Sequence, residues 1–439
     1  MNNQASLSRK TWLAIVILGL VGQLAWMVEN FYFNTFLFKE MGGTAVDIRN
    51  MVALSGIVAT ITTILMGAWS DKLKNRRLFI AVGYIIWGLI TLSFAFISKT
   101  SLETLFPSMP LAQLMSFGVA LVIVMDCVMT FFGSTANDAA FNAWITETTN
   151  EHNRAGVEGV LGAFPLLAML IITGLGAVAI DLLGYGLFFA IIGLLVVACG
   201  IVSLFLVKDE DKKSHEDISY WKRVIYGFKA STIKTYPQLY LTMLAQCLFS
   251  ISFQVFMTYI LIYFEHNLGL TMIEYGLMLA VMILVASIIG IVFGRIMDKK
   301  GKKRFALVSY LLYVVSLFVL ALVSNYYLLM LMGTILLAGD ILLVTVLGST
   351  IRDETPKGKA GLFQGIRLVF VVLIPMLIGP TLGELAIRSS QVTFINEFNE
   401  TVLVPNAGIF VMAGIVGLFV IVPLWFVLKT LNNKQRVDH

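Results

Sequence analysis

Twelve apolar stretches, most of them twenty residues or longer, constrain this chain more than any other feature. A helix needs about 20 mostly apolar residues to cross some 30 Å of hydrocarbon, because it rises about 1.5 Å per residue. In lipid every backbone N–H and C=O must be satisfied internally, which excludes open strands and leaves helices for spans of this length. The stretches fall near 11–38, 48–70, 78–98, 113–145, 158–183 and 185–207, then near 237–264, 272–297, 304–323, 326–350, 361–387 and 404–429. The fourth, over 113–145, is long enough to require tilt or extension beyond the bilayer. The expected fold class is an all-α membrane protein of twelve transmembrane helices. They divide into a six-helix bundle over 1–207, a polar linker over 208–236, and a second six-helix bundle with a tail over 237–439.

The charges agree. Only 13% of the residues are charged, about half of what a soluble domain carries, and mean hydropathy is +0.88. With the N-terminus cytoplasmic, 26 of the 31 Lys and Arg fall on inner segments, four (Lys39, Arg49, Lys99, Arg388) on outer ones, and Arg367 within a span. Such asymmetry orients a membrane protein, so the net charge of +5 reads as the positive-inside bias rather than as a nucleic-acid footprint. Both termini are expected inside, in the plasma membrane. No cleavable leader is expected, since the segment after Arg9 and Lys10 continues as a full span without a small-residue cleavage site. Cys127, Cys199 and Cys247 lie within apolar stretches, far from any metal-ligand spacing, so neither disulfides nor a metal is expected.

The two groups of six repeat one another. Gly67-Ala-Trp-Ser-Asp71-Lys72 follows span 2, and Gly294-Arg-Ile-Met-Asp298-Lys299 follows span 8, the aspartates standing at equivalent places in the two halves. Asp126 precedes Gly133-Ser134-Thr135 in span 4 as Asp340 precedes Gly348-Ser349-Thr350 in span 10. Duplicated halves place a substrate path at their interface, near the bilayer midplane.

The segment Gly294 to Lys303 resembles at every position the Gly-xxx-Asp-(Arg/Lys)-x-Gly-(Arg/Lys)-(Arg/Lys) signature loop of the major facilitator superfamily. The first copy departs from it at Lys74 and Asn75. Within that superfamily, Asn137-Asp138-Ala-Ala-Phe141-Asn142-Ala-Trp144 followed by Arg154 is similar to span 4 of the glycoside–pentoside–hexuronide:cation symporters, the melibiose-permease and sucrose-transporter-like group. The resemblance implies that Asp138 ligates sugar hydroxyls. Sodium-coupled members of that group carry paired aspartates in span 2, whereas residues 48–70 here contain no carboxylate. Proton coupling, or no coupling, is therefore the expectation.

Ionisable groups are costly inside a bilayer and usually face a cavity or a partner. Span 1 carries Gln23, Trp26, Asn30 and Asn34 on one helical stripe with Glu29 at its edge, a pattern that suits either a sugar-lined cavity or interhelical hydrogen bonds. Span 4 offers Ser134, Asp138 and Asn142 at four-residue spacing, beside Asn137. Span 7 repeats Gln246, Ser250, Gln254 and Thr258, Asp340 lies mid-span 10, and Gln364 and Arg367 lie one turn apart near the inner end of span 11. Trp26, Glu29, Asn30, Asn34, Asn137, Asp138, Asn142, Gln246, Gln254 and Gln364 are the candidate substrate ligands. Asp340, Arg367, Asp71 and Asp298 are the candidate coupling or gating groups, the two loop aspartates as conformational latches. All four histidines lie in loops or the tail, so any coupling falls to carboxylates.

These features predict a secondary transporter that carries a small polar solute, a sugar or glycoside, by alternating access as a monomer, with a proton as co-substrate and no cofactor. Export or flipping of amphipathic drugs or lysolipids is the alternative on the same fold, whose lining 31 Phe and 20 Met would suit, as they equally suit lipid contact. An enzyme is not expected: His-Glu-x-x-His, the Gly-x-Ser-x-Gly nucleophile elbow and the phosphate-binding Gly-rich loop are all missing.

Overall fold

A computed structural model describes residues 7–73, 75–149, 153–209, 225–300, 302–356 and 360–437. Among the described residues, ten helices are long and apolar enough to cross a membrane: Arg9–Lys39, Ala45–Ser70, Arg76–Phe96, Leu111–Thr148, Gly156–Leu206, Pro237–Asn267, Met272–Gly294, Tyr326–Glu354, Leu362–Ile387 and Gly408–Lys429. Two details bring this to the twelve expected. Gly156–Leu206, at 51 residues, breaks at Gly184, whose φ of 73° only glycine adopts freely, so it comprises spans 5 and 6. Span 9 is the shorter apolar helix Phe305–Leu320.

The chain forms two compact units, one of Met1–Asp217 with Ile395–Val402, the other of Ile218–Phe394 with Leu403–His439. Of the polar linker, residues 210–224 lie outside the described residues, as do Asn150, Glu151 and His152. The described part from Ile225 onward belongs with the second unit, where Tyr226 and Tyr236 stand edge-on to the buried Phe363.

The first unit is tightest between spans 3 and 6. A Cβ on Gly88 would come within 2.6 Å of the Gly193 carbonyl, and one on Gly193 within 2.5 Å of the Leu92 nitrogen. Close backbone approach through small residues is how helices associate in lipid, where burial drives nothing. In the second unit a close approach joins a different pair, spans 7 and 11, where a Cβ on Gly383 would run into the Val255 carbonyl.

Both units keep the same local devices, in the register that pairs Asp71 with Asp298. Gly42 and Gly269 have φ of 70° and 68°, each ending the turn before an even-numbered span. Two residues on, Thr44 and Asp47 form a capping box at the start of span 2, with Thr44 N–H donating to Asp47 Oδ2 at 2.8 Å and Asp47 N–H to Thr44 Oγ1 at 3.3 Å. Thr271 and Glu274 repeat both bonds at the start of span 8, again at 2.8 and 3.3 Å. Tyr32 and Tyr259, buried in spans 1 and 7, donate to the carbonyls of Ile172 and Pro380 in spans 5 and 11 at 3.1 and 2.9 Å.

One element was not expected, a two-stranded hairpin of Thr393–Ile395 and Thr401–Leu403 between spans 11 and 12. Its turn is set by Asn396, whose side-chain oxygen accepts from Phe398 and Glu400 N–H at 2.9 Å each, and by Asn399 at φ 60°. The tip is part of the first unit: Asn396 donates to the Gly42 carbonyl at 3.2 Å and Lys99 Nζ to the Glu397 carbonyl at 2.6 Å. Beside it, burial first and the neighbouring Glu397 second push the Glu40 carboxyl above its ordinary value, against Lys39.

Candidate functional site

Among the described residues, five of the long helices contain a turn of π-helix: Glu29–Phe33, Ser134–Phe141, Ile172–Gly176, Tyr263–Asn267 and Val369–Leu373. Such turns leave backbone carbonyls without their usual partners and recur at functional sites. Glu29 opens the first and Asp138 lies within the second, so span 1 and span 4 are both unwound where their carboxylates sit.

The amides beside these turns donate to carbonyls of their own helices. Asn30 Nδ2 donates to the Trp26 carbonyl at 2.7 Å, Asn34 Nδ2 to the Asn30 carbonyl at 3.2 Å, and Asn142 Nδ2 to the Asp138 carbonyl at 3.1 Å. Asn30 and Asn142 are exposed, while Asn34 is buried. Asn137 is committed to the frame: its Nδ2 donates to Tyr84 Oη at 2.6 Å, and that hydroxyl donates to the Leu18 carbonyl at 2.8 Å, tying spans 1, 3 and 4. Trp26 packs 4.8 Å from Trp87 at 45°, both rings resting against Gly133.

Glu29 sits in a carboxyl–hydroxyl cluster. Its Oε1 lies 2.8 Å from Ser55 Oγ of span 2 and 3.1 Å from Thr130 Oγ1 of span 4, and the two hydroxyls lie 2.7 Å apart. Asp126, one turn before Thr130 on the same face, is 1% exposed and adjoins both Glu29 and Ser55. Glu29 Oε2 and Asp126 Oδ1 are buried without a hydrogen-bond partner. Asp138 is half-buried and within electrostatic reach of Glu29. Among the described residues no Lys or Arg acts on any of the three carboxyls. Two other buried charges in the helices are paired. Arg76, 5% exposed, bonds Glu147 at 2.7 and 3.1 Å and also Ser70, and Glu384 takes both Nε (2.7 Å) and Nη2 (3.2 Å) of Arg388.

The second unit holds fewer such groups. Gln246 is buried, its Nε2 donating to Ser250 Oγ at 3.3 Å and its Oε1 without a partner. Gln254 is half-buried, its Cβ against Gly379 of span 11. Asp340 is half-buried in span 10 and close enough to act on Tyr313, whose hydroxyl lies 3.0 Å from Ser252 Oγ. Gln364 and Arg367 are exposed on the helix Ala360–Leu368. The side chains of Asp71 and Asp298 lie outside the described residues.

The partners of Glu29 have no sequence signature. Ser55 and Thr130 are hydroxyls in apolar runs, ordinary when taken alone, and Asp126 stands out in the sequence only as part of the repeat with Asp340. It lies well inside Leu111–Gly133.

The arrangement, a pair of helix bundles with unwound, acid-bearing spans, is that of a membrane carrier. The sequence profile of the Major Facilitator Superfamily matches residues 15–380 and, in a second match, 242–438. The chain belongs to that superfamily of transporters. No curated protein matches. Among solved structures, a mutant of the nucleoside transporter NupG superposes with a TM-score of 0.69 at 12% identity, covering 95% of this chain and 99% of that one. A bacterial homologue of the human lysosomal transporter Spinster, inward-facing and occupied, gives 0.68 at 12% identity and 98% of each chain. These similarities concern the fold.

Proposed function

We propose that this protein is a secondary active transporter that moves a small polar solute, a sugar or glycoside, across the plasma membrane by alternating access in symport with protons. In this reading it works as a monomer with both termini cytoplasmic. The observation that supports it best is the gathering of Glu29, Asp126 and Asp138 in one bundle, among hydroxyls and amides, with no cationic residue acting on them among the described residues. Charge in such a place needs a cation, and a carrier supplies one by binding its coupling ion.

The solute's ligands are then Asp138, with the exposed amides of Asn30 and Asn142, beside the aromatic edge of Trp26. A carboxylate accepts two hydroxyls of a sugar through charge-assisted hydrogen bonds, and an aromatic face suits its apolar ring face. In the second unit Gln246, Gln254 and Gln364 are the candidate ligands, and Asp340 and Arg367 act in coupling or gating. Asp71 and Asp298 serve as latches between conformations. Asn34 and Asn137 hold the helices that carry these groups.

Thermal-shift screening of the purified protein tests the solute class. Mono- and disaccharides are expected to raise the melting temperature. Nucleosides, lysolipids and lipophilic cations form the opposing sets, and stabilisation by one of those alone would replace the sugar reading with the corresponding substrate.

A further inference from the structure

The cluster around Glu29 contains more short oxygen contacts than hydrogens to fill them. Glu29 Oε1, Ser55 Oγ and Thr130 Oγ1 form a triangle with sides of 2.8, 2.7 and 3.1 Å. Each side is a hydrogen-bond distance, and oxygens held that close without a hydrogen between them repel. Three contacts require three hydrogens. Ser55 and Thr130 bring one each, and a carboxylate brings none. A proton on Glu29 supplies the third and closes the ring, with each oxygen donating once and accepting once.

The second carboxyl points the same way. Asp126 is 1% exposed, adjoins Glu29 and Ser55, and has an oxygen without a partner, as does Glu29 itself. Two carboxylates in one water-poor place cannot both keep their charge. Glu29 lies ten residues before Lys39 and Ser55 ten residues after Ala45, each about 15 Å along its helix from that end, near mid-membrane. Among the described residues, the other titratable groups that face the pair are Cys127, beside Asp126, and Asp138, which lies eight residues beyond Thr130 along span 4.

We propose that Glu29 and Asp126 hold one proton between them, with Ser55 and Thr130 as its hydrogen-bonding frame, and that this proton is the coupling ion. It is taken from water on one side of the membrane and released to water on the other, leaving Asp138 free to serve the solute. The assignment rests on the proton-symport reading and divides its three carboxyls into a coupling pair and a solute ligand.

Infrared difference spectroscopy of the purified protein across pH tests it without any solute. A protonated carboxyl gives a carbonyl stretch that disappears on titration. Glu29→Gln and Asp126→Asn are each expected to displace one and the same band, and the double variant to remove it. Ser55→Ala should move its midpoint, while Glu384→Gln, altering a carboxyl paired with Arg388, should leave it in place. A band unchanged in either single variant overturns the assignment. In proteoliposomes, with a sugar identified by the screen, both single variants should lose pH-driven accumulation by about tenfold or more. They should retain solute counterflow, which also certifies that they fold. If the parent itself ignores a pH gradient, the symport reading fails whatever the variants do. If the parent is proton-driven and either variant still accumulates, only the pair assignment fails. Stabilisation of the parent by sodium chloride over choline chloride, absent in Asp126→Asn, would make a metal cation the occupant and overturn the proton.

Discussion

The two units share a frame and differ in what they keep inside it. The positive-φ glycines, the capping boxes and the tyrosine ties of Tyr32 and Tyr259 recur in one common register. In that register Glu29 corresponds to Phe256, and Ser55 to Met282. Phe256 is 1% exposed and lies 5.7 Å from Phe410, and Met282 fills the space over Gly333, where a Cβ would run into its Cε. One copy of the place is a carboxyl held by hydroxyls, the other is apolar. Duplication therefore preserved the devices that start, stop and tie helices, and left the polar interior of each bundle to diverge. The first unit became the acidic one. Among its described residues the second carries Asp340 at mid-span, with the amides of Gln246 and Gln254.

The largest effect expected from breaking this difference comes from Phe256→Glu. It would place a carboxyl against Phe410, where the first unit has the hydroxyls of Ser55 and Thr130. An uncompensated buried charge costs about 3–5 kcal/mol, so the variant should be lost as aggregate on size-exclusion chromatography, whereas Glu29→Gln should elute as the parent does. Equal recovery of both would mean that the two places are not chemically distinct.

Next in size is the solute. Asp138→Asn keeps volume and removes charge. Charge-assisted hydrogen bonds are worth about 1.5–3 kcal/mol each, so binding of the identified sugar should weaken about tenfold or more, since about 1.4 kcal/mol is a factor of ten. Titration calorimetry in detergent measures it. Binding at the parent's affinity would return Asp138 to a purely conformational part.

The smallest effect tests the shared frame. Tyr32→Phe and Tyr259→Phe each remove one interhelical hydrogen bond to a carbonyl, a loss of about 1 kcal/mol. Denaturation by SDS should show nearly equal destabilisation of the two variants. A large difference would show that the matched bonds are unequal parts of their bundles.

How much of this was legible in the sequence follows from the kind of physics involved. Span number and order were legible because bilayer thickness dictates helix length, and even the break at Gly184 falls between two expected spans. Asp71 and Asp298 revealed the repeat. The same register at Gly42, Thr44 and Asp47 gave no signal, because a turn glycine and a capping box are too short to stand out before their geometry is seen. Asn30 and Asn34 on the span 1 stripe suggested ligands or interhelical bonds, and Asn142 in span 4 a ligand. Beside the π turns their donors have a third use, the carbonyls of their own helices, and nothing in a periodic pattern announces a π turn. The partnership of Glu29, Ser55, Thr130 and Asp126 joins three spans over as many as 101 residues, and no local pattern encodes such a contact.

The central claim is that the acids of the first unit draw on a proton gradient, with no carboxylate over residues 48–70 of span 2 to serve sodium. It is tested most directly in proteoliposomes loaded at a fixed pH difference, with accumulation of the identified sugar followed while external sodium is replaced by choline. Accumulation should be unchanged by the replacement and should collapse when the pH difference is dissipated. A large loss on removing sodium, with the pH difference intact, would contradict the account.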